Sequence, residues 1–231
     1  EIVIDQNGNE LKNKVILITG AGGSIGGELC KQIIIQKPKK IILLDNSEFN
    51  LYKIKEQLIK ILDSNSLNVD LFFSLSSINN KPLLKNLFVT HEPDYVFHAA
   101  AYKHVDMVEE NIIEALLNNF FGTLNVVELT EELKIKKFTL ISSDKAVRPT
   151  SIMGATKRLS EMIVQAYSDR DNSSVVYSIV RFGNVLGSSG SVINKFNKQI
   201  EDGNYVTVTD KQVTRFFMTV HESVNLILQA S

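Results

Sequence analysis

KVILITGAGGSIGGEL, residues 14–29, decides the fold. An aliphatic, β-branched run ends in Gly20, Gly23 and Gly26, and a second run with helical spacing follows at once. In a strand–turn–helix unit the first glycine permits the tight turn, the second lets a pyrophosphate approach the backbone, and the third lets helix and strand close up. The N–H groups that open the helix, at Ser24 and Ile25, then face the phosphates. The pattern implies a dinucleotide site, with a purely structural turn as the alternative.

The same rhythm continues outward from this unit. Residues 14–20, 40–45, 69–73, 94–100, 137–142 and 175–180 read as short buried strands, and 24–36, 48–62, 80–89, 109–134 and 153–168 carry helical periodicity. Strand and helix in alternation predict a Rossmann-like, doubly wound parallel sheet of the α/β class. After residue 181 the text becomes rich in Gly and Ser. A helix over 191–201, a strand in YVTVT (205–209) and a last helix from about 220 are expected there. The division implied is 1–181 as an NAD-binding domain with a catalytic segment, and 182–231 as a small, incomplete substrate-binding cap over the carboxyl ends of the strands.

Asp45 closes the second strand, where a carboxylate can take both ribose hydroxyls of an adenosine half and would repel a 2′-phosphate. No arginine lies beside it in LLDNSEFNLYK, so NAD is expected over NADP. Capping of the next helix is the alternative role for Asp45, and Ser47 can fill that role equally well.

Composition excludes several classes. The 25 basic and 26 acidic side chains are mixed along the 231 residues, leaving a net charge of −1 and no footprint for nucleic acid or an anionic membrane. The longest apolar runs fall far short of the ~20 residues of a membrane span. Cys30 is the only cysteine, so an internal disulfide and a cysteine metal cluster are ruled out; it is expected to be buried within a helix. The four histidines are scattered, and no metal site is expected.

SSDKAVRPTSIMGATK, residues 142–157, looks catalytic yet has Met153 one helical turn before Lys157, and a thioether transfers no proton. Taken with the glycine turn, HAAAYKHV, NNFFGT, RFGNVLGSSGSV and TRFFM in this order, the stretch strongly resembles the extended short-chain dehydrogenase/reductases. Within them the chain is most similar to the nucleotide-sugar 4,6-dehydratases acting on UDP-N-acetylglucosamine in bacterial glycan synthesis, of the large, membrane-anchored type. That type shows methionine where most of the superfamily has tyrosine.

The resemblance implies an enzyme on the cytoplasmic side of the inner membrane, anchored through segments outside this soluble core, with NAD as cofactor, a UDP-sugar as substrate and a homo-oligomeric state. It implies catalytic positions at Ser143, Asp144, Lys145, Met153 and Lys157. Cofactor contacts would come from Gly20, Gly23, Ser24, Ile25, Gly26, Asp45, Ser77, Ala99, Ala100, Ala101 and Lys157. The family's usual Gly-Asp after the third strand is here Ser76 and Ser77, and Asp106 stands where proline is usual. On the substrate side stand Lys103, Asn119, Asn184, Ser188, Val192 and Arg215; Asn119 is also suited to fixing backbone or water beside the catalytic segment.

The chemistry of a 4,6-dehydration agrees. Once C4 is oxidised the C5 proton becomes acidic, so a base is needed at C5 and an acid at the C6 hydroxyl. Asp144 protonated and Lys145 neutral would supply them, with both pKa values moved by burial; an exposed ion pair is the alternative. Ser143 would hydrogen-bond the C4 oxygen, and Lys157 would hold the nicotinamide ribose. Lys157, Lys103 or a water could take the C4 hydroxyl proton. His98 and His104 are more simply structural. A core methionine and a surface Arg215 are the plainer readings of those two residues. A UDP-sugar 4-epimerase and a non-catalytic NAD-binding module are the competing functions.

Overall fold

The computed structural model describes residues 10–187, 192–208 and 210–231. The chain runs β1 (Val15–Thr19), α1 (Ser24–Ile35), β2 (Lys40–Asp45), α2 (Glu48–Asn65), β3 (Asp70–Leu75), α3 (Lys81–His91) and β4 (Tyr95–His98). It continues through α4 (Val105–Glu110), α5 (Ile112–Ala115), a π-helical stretch (Leu116–Gly122), α6 (Thr123–Glu132) and β5 (Lys137–Ile141). A single 3₁₀ turn (Asp144–Ala146), α7 (Ile152–Ser168) and β6 (Val176–Val180) complete the main sheet. Beyond it come β7 (Asn184–Leu186), α8 (Val192–Glu201), β8 (Phe217–Thr219) and α9 (Val220–Gln229).

Six strands form one parallel sheet in the order β3-β2-β1-β4-β5-β6. Side chains alternate across it, so both faces need cover. Ile16, Ile18, Ile41 and Leu43 pack with Leu29, Cys30 and Ile33 of α1 on one face. Leu17, Ile42, Val96 and Phe138 pack with Phe88 of α3, Val126 of α6 and Val164 of α7 on the other. Val224 and Ile227 of α9 are fully buried in the first of these cores, so the last helix joins the layer of α1. The sheet reverses its winding between β1 and β4, and there the turns after the two strands part to open a cleft.

Local chemistry sets the helix starts. Ser47, Asn80, Ser151 and Thr219 each accept a backbone N–H and cap α2, α3, α7 and α9; Thr219 and Glu222 form a reciprocal capping box. The α1 helix begins instead at Gly23, which has no side chain to cap it, and its first amides face the cleft.

Two expectations are corrected. Residues 109–134 are not one helix: Asn111 leaves helical geometry at φ −130°, ψ 55°, and a π-helical turn precedes α6. The hydroxyls of Thr123 and Ser160 both donate to the Asn119 carbonyl at 2.6 Å and draw it away from a regular ladder. Residues 205–208 are not strand either; Tyr205 lies 98% exposed with no sheet to join. The second sheet is the parallel pair β7–β8, with Asn184 opposite Phe217. Cys30 is buried in α1 as expected, and burial raises its thiol pKa.

Candidate functional site

Three adjoining cavities line the carboxyl ends of the strands, and Ala99 and Ala101, just after β4, wall all three. The first, about 530 Å³, lies against the glycine turn and runs along Tyr102, Lys103 and His104 to α4. The second, about 200 Å³, is bounded by Asp45, Ser76, Ser77 and Ala100. A third of about 290 Å³ brings together Ser143, Lys145, Met153, Lys157, Asn184 and Val192.

The glycine turn is shaped for a bound group. Gly20 has φ +67°, and a Cβ there would lie 2.7 Å from the Ala100 nitrogen. A Cβ on Gly26 would fall 2.1 Å from the Gly20 carbonyl oxygen, closer than any side chain permits. Gly20, Gly23, Ser24, Ile25 and Gly26 all face the first cavity. Asp45 is buried, and its two oxygens accept from the Gly22 N–H at 2.8 Å and the Ser47 N–H at 2.9 Å. Ser47 takes the capping role on α2, which leaves the carboxylate turned to the second cavity. Among the described residues no lysine or arginine lines that cavity. These residues fit an NAD: an amide cradle for the pyrophosphate, a carboxylate for an unphosphorylated ribose, and Ser77 at the adenine end.

On the far side, β5 delivers the candidate catalytic residues. The Ser143 hydroxyl donates to Asp144 Oδ1 at 2.9 Å and accepts the Lys145 N–H at 3.2 Å. Lys145 Nζ lies 3.0 Å from Asp144 Oδ1 and 2.9 Å from Asn184 Oδ1. Desolvation would raise the Asp144 carboxyl, but the bonds from Lys145 and Ser143 outweigh it and hold the pKa below its ordinary value. Asp144 is thus held ionised, 44% exposed at its side chain and bonded to Ser143 and Lys145, both of which line the cavity.

Met153 is buried in a small cluster with Val108 and Ala115 while forming part of the cavity wall. One turn on, Lys157 is buried and donates to the Ile141 carbonyl at 2.7 Å; desolvation pulls its ammonium down to about 8, against the opposing charge of Glu161. Lys103 is solvent-exposed overall but sits between the first and third cavities, and desolvation lowers its ammonium as well.

The substrate-side residues divide. Asn184 and Val192 line the third cavity. Asn119 does not: it is fully buried, it exchanges bonds with the Tyr102 backbone at 2.7 and 3.0 Å, and it donates to Thr156 at 3.0 Å. Its role is the other one expected of it, fastening backbone beside α7. Arg215 is exposed, donates to the Thr214 carbonyl, and is not brought to the cleft. Ser188 lies outside the described residues. His98 is structural, held between Thr19 and Thr123 with its pKa driven by burial to about 3.

Reasoning from the sequence missed Glu161. Its carboxylate is 1% exposed and accepts from Ser142, Arg158 and Arg181. The available signal was a glutamate one turn after Lys157, with an arginine directly after the sixth strand. Among the described residues no group of three His, Cys, Asp or Glu could hold a metal, and no helix is long and apolar enough to cross a membrane.

The fold and the cleft are those of an extended short-chain dehydrogenase/reductase, a nucleotide-binding α/β protein, with the candidate catalytic residues after the fifth strand and on the following helix. The chain belongs to the polysaccharide biosynthesis protein family, whose profile matches residues 16–231. It is 47% identical over 221 residues to the capsular polysaccharide biosynthesis protein CapD of Staphylococcus aureus, covering 96% of this chain and 36% of that protein. The chain thus spans little more than a third of that relative. It is 34% identical to a UDP-N-acetylglucosamine 4,6-dehydratase (inverting) of Campylobacter jejuni, over 93% of this chain and 62% of the relative. A UDP-glucose 4-epimerase of Rickettsia canadensis is also 34% identical, over 94% and 62%. Among solved structures, Pen from Bacillus thuringiensis superposes with a TM-score of 0.86 at 36% identity, covering 95% of this chain and 67% of that one.

Proposed function

We propose that this chain is the catalytic core of an NAD-dependent UDP-N-acetylglucosamine 4,6-dehydratase serving surface-glycan synthesis. The observation that carries the reading is an acid–base pair after β5: Lys145 lines the cavity that also holds Met153 and Lys157, and Asp144 is hydrogen-bonded directly behind it. An enzyme that only oxidised and reduced C4 would need no second acid and base.

When bound, NAD supplies two-electron oxidation at C4 and the matching reduction at C6. The chain's own groups do the rest. Ser143 donates to the C4 oxygen. Lys145 takes the proton from C5, and Asp144 gives one to the departing C6 hydroxyl. A single proton passed from Lys145 to Asp144 along their existing 3.0 Å bond converts the ion pair to the neutral pair this requires. Covering the pair with sugar drives that transfer, because removal from water penalises the charged form. Lys157, with its ammonium lowered to about 8, is suited both to hold the nicotinamide ribose and to accept the C4 hydroxyl proton. Met153 shapes the wall. Asn184 and Val192, which line the same cavity, support a substrate side formed by the part of the chain that follows β6.

The second reading, a UDP-sugar 4-epimerase, is favoured by the equally similar Rickettsia relative. The test is incubation of the complete protein with NAD and UDP-N-acetylglucosamine in deuterated water. A product that has lost one water and carries deuterium at C5 supports the dehydratase; an isomer of unchanged composition supports the epimerase.

A further inference from the structure

Helix α7 grips the end of β5 at two consecutive residues. Lys157 Nζ donates to the Ile141 carbonyl at 2.7 Å, and one helical turn later Glu161 accepts the Ser142 hydroxyl at 2.6 Å. The same carboxylate takes Arg181 through Nε at 2.8 Å and Nη2 at 2.6 Å, with Arg158 at 3.1 Å. Arg181 directly follows β6, whose end is tied to the catalytic segment by Ser142 N–H to Val180 O (2.7 Å) and Asp144 N–H to Phe182 O (3.0 Å). One buried carboxylate thus joins the ends of β5 and β6 to α7, immediately beneath Ser143, Asp144 and Lys145.

Burying a carboxylate at this depth is costly, and for stability alone a well-packed apolar group would serve as well. What an apolar group could not do is hold a hydroxyl at a fixed place and put a negative charge one turn from Lys157. We infer that Glu161 is a positioning residue: through Ser142 it fixes the direction in which the Ser143–Lys145 segment meets the cavity, and through its charge it offsets part of the burial that Lys157 suffers.

The surroundings of Lys157 agree with this. From its own helix only Glu161 acts to raise its pKa. From β4 it meets His98, which is neutral at working pH, and Lys103, His104 and Lys145 share its cavity wall. Arg181 and Arg158 lie on the far side of Glu161. Burial would raise the Glu161 carboxyl, but the bonds from Arg181, Ser142 and Arg158 outweigh it and keep the group ionised. Glu161 is therefore the charge on which the state of Lys157 depends.

The turnover arm of the test rests on the dehydratase reading; the titration arm does not. Lysines labelled with ¹³C are followed by NMR against pH in the protein without cofactor, with the Lys157 signal assigned by its loss in Lys157→Met. Glu161→Gln is expected to lower the Lys157 midpoint by roughly one unit, as loss of an adjacent opposite charge does. Ser142→Ala removes the hydroxyl without changing charge, so the midpoint stays while kcat for UDP-N-acetylglucosamine falls about tenfold and KM stays within about twofold. An unmoved midpoint in Glu161→Gln, or wild-type kcat in Ser142→Ala, overturns the inference. If Glu161→Gln does not fold, kcat of Ser142→Ala decides. If the wild type releases no water from the substrate, the function proposed above fails, and the titration alone decides the role of Glu161.

Discussion

The Lys145 ammonium donates to the side-chain oxygen of Asn184 at 2.9 Å, across 39 residues of sequence. This bond ties the proposed base, Lys145, to β7, so a strand beside the cavity would also aim the amine. Hydrogen bonds to charged groups contribute ~1.5–3 kcal/mol, equivalent to about tenfold or more in rate when only the reacting geometry depends on them. Asn184→Ala should therefore lower kcat by about tenfold with little change in folding midpoint. Unchanged turnover would release Asn184 from any part in aiming Lys145.

Asp144→Asn and Lys145→Met keep side-chain volume and remove proton transfer. Each should cost ~10² to 10⁴ in turnover. Affinity for the nucleotide, read by calorimetry, should be nearly unchanged, because the pair lies after β5 and the glycine turn after β1. A variant with near-normal turnover removes its residue from the elimination.

Asp45 is proposed to set the choice of cofactor. Its carboxylate has two backbone donors of its own and faces a cavity with no basic residue among the described ones. The complete protein should bind NAD at least about tenfold more tightly than NADP, the ratio expected when a phosphate must sit beside an unneutralised carboxylate. Asp45→Asn should narrow that ratio by weakening NAD and relieving NADP together. Calorimetry showing tighter NADP binding by the wild type would take the ribose contact away from Asp45.

Met153 is enclosed by Val108, Ala115 and Ile152. A volume-conserving swap in such a place usually costs under ~1.5 kcal/mol, so Met153→Leu should retain most turnover. Met153→Tyr must push its ring past those neighbours or into the cavity, and should not gain activity. A strong gain in steady-state rate for the tyrosine variant would show that the site lacks a proton acceptor as it stands.

The main sheet was legible because its signals are local. An apolar run such as KIILLD can only be a buried strand between two helical layers, and the glycine turn carries its backbone demands in its own letters. The placement of the candidate residues after β5 and on α7 was legible for the same reason, since sequence spacing sets Ser143 just past a strand and Lys157 one turn beyond Met153, while their proposed roles came from the family resemblance. What escaped depends on contacts between distant segments. The carbonyl of Asn119 is claimed by Ser160, 41 residues away, where the helix predicted over 109–134 runs as a π-helical turn instead of a regular one. YVTVT has strand composition, but β7 finds its partner in β8 instead, so residues 205–208 join no strand. Glu161 was invisible as a site residue because its meaning comes from Ser142 and Arg181, 19 and 20 positions distant.

Lys157 ties function to stability with a definite sign. Burial lowers its ammonium to about 8, whereas in the unfolded chain it titrates at its ordinary value near 10.4. Between those limits the unfolded chain binds more protons than the folded one, so folding gains stability as pH rises. The contribution is fully present above the unfolded value and is lost as pH falls through about 8, where the folded protein must bury a charge. The difference amounts to about 3 kcal/mol. Lys157→Met has no proton to bind, and other titrating groups cancel between the two proteins. Urea unfolding at a series of pH values should therefore show wild type gaining about 3 kcal/mol on the variant between pH ~8 and pH ~10.5. The same variant should be inactive, since it loses the cation at the nicotinamide ribose, while at neutral pH it sheds the burial penalty. A stability difference that stays flat across this range would mean that Lys157 is solvated when charged, and with that the pKa argument for its part in proton transfer would fall.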